Sequence, residues 1–298
     1  MNHDYLASTS KDDRKVVAGI LLALLSGLSY SSEAIAAKLL YARGLPPLTV
    51  LTWRFLLAAL IFTLWACRQN AFLVKPSQRR LLALLGLFQA VTVLFLFYAF
   101  MYIPAGLAVF LFYLYPTLLT LIEVLFLGIQ PNKKRILALM FTLVGLLVIA
   151  GPVVNNISWP GFACALAAAI GNAVFLLLSG HSLDELPVTT VSAGTTLSAA
   201  AALVLAAIAT RTPLSFALDG STISLLLFLV LVPSVLALTC LLAAIARLGP
   251  GRTAIVATTE PFFTVLLGFL ILGEHLRLHE LIGGIIIIFA VLIERSGN

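Results

Sequence analysis

Charge is what this chain has least of. Only 10% of its 298 residues are Asp, Glu, Lys or Arg, against about 25% in an ordinary soluble domain. A soluble globule of this length could not cover its surface with so few. Histidine is scarce too: His3, His181, His275 and His279 all fall in the tail or in loops. Apart from His279 at the very start of the last one, the apolar runs contain no histidine, and they contain no aspartate. That removes the usual materials of an intramembrane enzyme: a histidine zinc site, a serine–histidine pair, or paired aspartates holding magnesium. No enzyme activity is expected. Cys67, Cys164 and Cys240 are far apart and lack metal-ligand spacing, so they read as small buried thiols. A Gly-rich Walker segment is also missing, which argues against direct drive by ATP. No cofactor and no metal are expected.

What the chain has is apolar length. Hydrophobic residues make up 61% of it, in runs at roughly 16–40, 48–67, 81–101, 105–127, 135–152, 159–179, 188–209, 221–246, 251–273 and 278–294. Continuous runs near 20 residues suit membrane helices, not the ten-residue alternations of a barrel. The first run is too long for a signal-peptide core, and the tail before it mixes Asp12 and Asp13 with Lys11, Arg14 and Lys15. The pattern predicts an all-α integral membrane protein of ten transmembrane helices in the lipid bilayer. The net charge of +6 is no sign of nucleic acid, because the basic residues sit in short loops. With the N-terminus inside, the inner segments hold 13 Lys and Arg and the outer ones hold Lys38, Arg43, Arg211 and Arg277. Positive residues favour the inner side, so both termini are predicted to be cytoplasmic.

A repeat underlies the ten runs. "AGLAVFLFYLYPTLLTLIEVLFLG" (105–128) falls on "PGRTAIVATTEPFFTVLLGFLILG" (250–273) without a gap, aligning Gly106 with Gly251, Pro116 with Pro261 and Gly128 with Gly273. The chain therefore divides into two five-helix repeats, 1–152 and 153–298, within one membrane domain. Five is odd, so the second copy enters the bilayer from the opposite face. Inverted repeats are typical of secondary transporters, with the substrate near the midplane.

"WRF" (53–55), "YAFMYIPAGLA" (98–108), "EPFFTVLLGFLILGE" (260–274) and "LIGGIIII" (281–288) resemble the EamA branch of the drug/metabolite transporter superfamily. The resemblance covers almost the whole chain, and its most specific part is the stretch over helices 9 and 10. It implies an inner-membrane carrier exporting small metabolites. Size and the lack of appended domains are similar to bacterial amino acid exporters, including those for aromatic amino acids.

The residues themselves point to a central site. Pro116 and Pro261 fall near the middle of their runs. An interior proline removes a hydrogen bond and frees the carbonyl four residues earlier, here those of Phe112 and Ala257. Freed polar backbone at membrane depth needs protein or a wet cavity. The two prolines are thus candidate hinges facing a cavity, although simple bending for packing would also account for them. Glu260, beside Pro261, is costly inside a bilayer. It could hold a substrate ammonium, exchange a proton, or merely bond a neighbouring carbonyl. The candidate cavity set is Tyr30, Gln89, Phe112, Tyr113, Tyr115, Asn172, Ser234, Thr258, Thr259 and Glu260. Glu33 and Arg54 lie at similar depths on successive helices and are candidates for a structural ion pair. Glu123 reads as paired with the Lys133–Arg135 loop, and Glu274 as a turn residue opening helix 10. Small residues such as Gly19, Ala23, Gly27, Gly283 and Gly284 allow close helix contact.

The best reading is a secondary transporter with a small-molecule substrate, protons as a possible coupling partner, and a monomeric or homodimeric state. Exporters of lipophilic cations or drugs are the rival on substrate. A passive pore is the rival of another class. Phosphorylated solutes fit poorly, since Arg54 is the one midplane cation and has Glu33 as its candidate partner. The predicted topology is checked by fusions after Asn298: a fluorescent protein should be bright there and an export-dependent phosphatase silent, whereas the reverse pattern would place the termini outside.

Overall fold

Proline and glycine punctuate the chain, and many of the helices begin or end beside them. The computed structural model describes residues 2–69, 74–103, 105–150, 158–216, 219–272 and 278–295. Among the described residues every regular element is helical. Helix α1 comprises Asn2–Ser31 and, after a break, Glu33–Tyr41; α2 is Pro47–Arg68 and α3 is Pro76–Tyr102. Helix α4 has two halves, Ala105–Phe112 and Tyr115–Leu127; α5 is Lys133–Ala150, α6 is Trp159–Glu185 and α7 is Val188–Ala209. Helix α8 runs through Gly220–Leu229, a π segment at Val230–Leu236, and Ala237–Leu248. Helix α9 again has two halves, Pro250–Ala257 and Glu260–Leu272, and α10 is Leu278–Arg295. Several helices carry proline in their first turn, where the missing N–H costs nothing. Gly128 ends α4 in the left-handed region at φ 66°, which only glycine enters freely. Asp219 caps α8 by accepting from the Thr222 N–H at 3.0 Å. Hydrogen bonds from Ser221 and Thr222, with Arg43 at 3.5 Å, hold its carboxyl well below the usual carboxylate range.

The helices pack with a two-fold pattern. The pairs α2·α7 and α5·α10 join like to like across the repeats. The pair α3·α6 has its counterpart in α1·α8, and α4·α6 has its counterpart in α1·α9. Exchanging each helix with the one five places on leaves this list unchanged. That is the packing of two inverted five-helix units making ten transmembrane helices. Seven of the ten (α1 to α4 and α6 to α8) contain windows long and apolar enough to cross a bilayer by length and composition. Of the others, α5 opens on three basic residues, α9 is interrupted, and α10 is apolar over Leu281–Ile293.

Burial is inverted relative to a soluble protein. Leu125, Phe126 and Leu205 are exposed, while Thr49, Thr52, Thr195 and Thr196 are buried. With lipid outside, apolar side chains gain nothing by going in. Small and polar residues fill the helix contacts instead. At the α5·α10 crossing, a Cβ on Gly283 would sit 2.6 Å from the Gly145 carbonyl, and one on Gly145 would sit 2.9 Å from the Gly283 carbonyl. Only two glycines fit there.

Two elements depart from the sequence expectation of uninterrupted helices. The run 16–40 breaks at Ser32. The hydroxyls of Ser29, Ser31 and Ser32 each bond back to a carbonyl three or four residues earlier, at 2.7 Å, which loosens and bends a helix. The run 221–246 contains a π segment around Pro233. Proline deprives the Leu229 carbonyl of its donor, and the Ser234 hydroxyl takes that place at 2.9 Å. Pro104 of the 102–106 turn, and Gly273 and Glu274 beyond α9, lie outside the described residues.

Gly283→Leu is expected to lower thermal stability in detergent by roughly 1–3 kcal/mol through overpacking. Gly220→Ala, where a Cβ meets open space, is the matched control and should melt as the wild type does.

Candidate translocation site at two broken helices

Helices α4 and α9 are each broken near their middle, at Tyr113–Leu114 and at Thr258–Thr259, the positions that the repeat places in register. Pro116 and Pro261 lie just past the breaks and are buried. Each proline removes a backbone donor, and the chain tightens into i→i+3 turns. Leu114 N bonds Leu111 O at 3.2 Å, Thr258 N bonds Ile255 O at 3.2 Å, and Thr259 N bonds Val256 O at 3.2 Å. In α9 the threonine hydroxyls turn back on their own chain, Thr258 to Ile255 O at 2.6 Å and Thr259 to Val256 O at 2.9 Å. They are spent on satisfying backbone. In α4 the places of Thr258, Thr259 and Glu260 are held by Tyr113, Leu114 and Tyr115, so no hydroxyl there sits where it could turn back in the same way.

These tyrosines and Glu260 form the central cluster. Phe112, Tyr113 and Tyr115 pack as three rings with centroids 5.2–5.7 Å apart. Tyr113 and Tyr115 are each 3% exposed, while Phe112, Tyr30 and Glu260 keep part of their surface open. The Tyr115 hydroxyl donates to Ala254 O of α9 at 3.4 Å. The Tyr113 hydroxyl is buried without a partner at hydrogen-bond distance, yet lies near enough to Glu260 to interact with it. Tyr30 of α1 also feels the Glu260 charge. Helix α1 comes close here because of Gly27: a Cβ there would stand 3.3 Å from the Thr259 hydroxyl and 3.7 Å from Glu260 Cβ. Glu260 is the first residue of a 13-residue half-helix, so the positive end of that helix dipole favours its carboxylate.

A second network adjoins the cluster. Arg54 of α2 is 3% exposed and pairs with Glu33 of α1. Its Nε donates to the Ser234 hydroxyl at 2.6 Å and its Nη2 to the Pro233 carbonyl at 3.3 Å. Its guanidinium carbon lies 5.5 Å from the Phe55 ring centre. Proline and π segment together present α8 to Arg54. The sequence analysis does not single out Pro233, although a proline inside an apolar run is a visible signal. Glu33 and Arg54 are also within electrostatic reach of Glu260. A third network sits at the end of the bundle that carries the α4–α5 turn. There Arg135 pairs with Glu123, donates to Thr120 at 3.0 Å and lies over Gly251 of α9. Gln89 and Asn172 are half-buried on α3 and α6. Among the described residues no hydrogen bond joins either to the Glu260 cluster, and Gln89 Oε1 is buried without a partner.

The family model of EamA-like transporters matches this chain twice, over residues 17–151 and 159–294. The chain belongs to the EamA-like transporter family. A Clostridium kluyveri protein described as an uncharacterized transporter is 24% identical over 295 residues, covering 94% of each chain. A solved crystal structure aligns with a TM-score of 0.78 at 20% identity, over 93% of this chain and 96% of its own. That similarity speaks to fold alone. In this EamA-like transporter, both breaks sit inside the two matched segments, one in each.

Arg54 supplies the sharpest test of the second network. Arg54→Gln leaves Glu33 without its ion pair and should cost roughly 3–5 kcal/mol in detergent melting. Adding Glu33→Gln should recover much of the loss; a double variant no better than the single one would mean the pair is not energetically coupled.

Proposed function

We propose that this EamA-like transporter is a secondary carrier of the inner membrane that exports amino acids with apolar or aromatic side chains. Its termini are on the cytoplasmic side. The observation that carries the reading is the Glu260 carboxylate facing the Phe112–Tyr113–Tyr115 rings, where both helices are broken. An ammonium group pairs with the carboxylate, and the rings take an apolar side chain. A substrate carboxylate would find donors at the half-helix N-termini that begin at Tyr115 and Glu260, the arrangement that broken transporter helices offer to anions. Alternating access then comes from bending at Pro116 and Pro261, with the units 1–152 and 153–298 rocking about the cluster. Glu260 also serves as the group that exchanges a proton for substrate.

One observation favours a second substrate class. A lone central carboxylate beside three aromatic faces also suits a lipophilic cation, which rings attract through their faces. Uptake into proteoliposomes separates the readings. Aromatic and aliphatic amino acids are offered beside a quaternary ammonium dye, with and without a pH gradient. Saturable amino acid flux that rises with the gradient and falls at least about tenfold in Glu260→Gln is expected, the range of a lost charge-assisted contact. Flux of the dye alone would move the substrate to cations. Non-saturating flux would make the protein a pore, and unchanged flux in Glu260→Gln would remove that residue from the mechanism.

A further inference from the structure

A cavity away from the broken helices also opens in the bundle. It lies between α2, α3 and α7, holds about 410 Å³, and is lined by Ala66, Val74, Arg79, Leu82, Gly194 and Ser198, among others. Three of its walls start at one level: Ala66 in the last turn of α2, Arg79 in the first turn of α3, and Thr190 in the first turn of α7. From Thr190 to Ser198 the cavity deepens by eight residues of α7, roughly 12 Å at the helical rise. Below the mouth the lining is apolar except for Ser198, and Leu197 on its rim is 51% exposed.

Its mouth is charged. Arg79 lines it, and Arg68, Lys75 and Arg80 stand exposed on the same α2–α3 connection. Among the described residues none of these four makes an ion pair. The remaining polar lining is hydroxyl, from Thr190 and Ser198. An apolar slot one side of a leaflet deep, opening at a cluster of unneutralised cations, has the chemistry of one kind of molecule: a chain of hydrocarbon that ends in a negative phosphate. Basic pockets between membrane helices attract acidic head groups in this way.

We propose that this cavity is a binding site for one anionic phospholipid, its phosphate on Arg79 and an acyl chain between α2, α3 and α7. The site is independent of the Glu260 cluster and of whatever the protein carries. The lipid fills the space at the α2·α7 contact, the crossing that joins the two repeats, and so steadies the repeat interface.

Native mass spectrometry on the delipidated full chain tests it, with palmitoyl-oleoyl phosphatidylglycerol and the matching phosphatidylcholine titrated separately, and inorganic phosphate as a third arm. The wild type should retain one phosphatidylglycerol in preference to phosphatidylcholine. Arg79→Gln should weaken that binding about fivefold, the contribution of one cation beside an acidic lipid, and Lys133→Gln should not. Leu197→Trp, which narrows the slot from its exposed rim, should weaken both lipids. Equal retention of the two lipids, an unaltered Arg79→Gln, or displacement of the lipid by inorganic phosphate alone would overturn the proposal. Detergent melting checks folding; if Arg79→Gln melts early, Leu197→Trp carries the test.

Discussion

Every backbone amide and carbonyl that enters a bilayer must find its partner inside the protein, and this structure is organised around the places where that rule is hardest to obey. Pro116, Pro233 and Pro261 each delete a donor inside a helix. The three sites are resolved differently. At Pro233 a neighbouring hydroxyl, Ser234, accepts the task and the helix widens to a π segment. At Pro261 two threonines bond back to their own turn. At Pro116, among the described residues, no hydroxyl bonds back to the turn before it in this way, and the break lies among the packed rings of Phe112, Tyr113 and Tyr115.

The consequence is an uneven pair. The repeat gives both halves a broken helix, but the residues at the breaks differ: Tyr113 and Tyr115 in the first copy, Thr258, Thr259 and Glu260 in the second. One copy supplies an apolar wall and the other a charge. A symmetric scaffold thereby produces an asymmetric centre. The other charged networks also differ between the halves. Arg54 and Glu33 tie α1 and α2 to α8, whereas Arg135 and Glu123 gather α4 and α5 beside α9. Neither network has a counterpart at the position 145 residues away, where Leu178, Ala199, Gly268 and Glu280 stand.

Small residues make these meetings possible. Gly27 lets α1 reach the α9 break, and Gly145 with Gly283 lets α5 and α10 cross with their backbones in contact. In water such gaps would be filled by large apolar side chains. In lipid the large side chains face outward at no loss, and closeness of backbones becomes the source of cohesion.

The ten spans, the repeat and the two central prolines were legible in the residue order, because length of apolar run and the spacing of proline are one-dimensional properties. The bends at Ser32 and Pro233 were less so: serine back-bonding and a π turn depend on which carbonyl a hydroxyl happens to reach. The pairs Glu33–Arg54 and Glu123–Arg135 were legible as well, because each joins successive helices; what the order of residues could not give was the company kept by side chains from distant helices. Glu260 and Arg54 are 206 positions apart in the chain, and Gln89 looked as central as Tyr113. Run length and period come from the chain alone, since they reflect a helix meeting lipid. Which polar group meets which is settled only when helices cross, because that depends on rotation about each axis and on the glycines that set how near two axes can come.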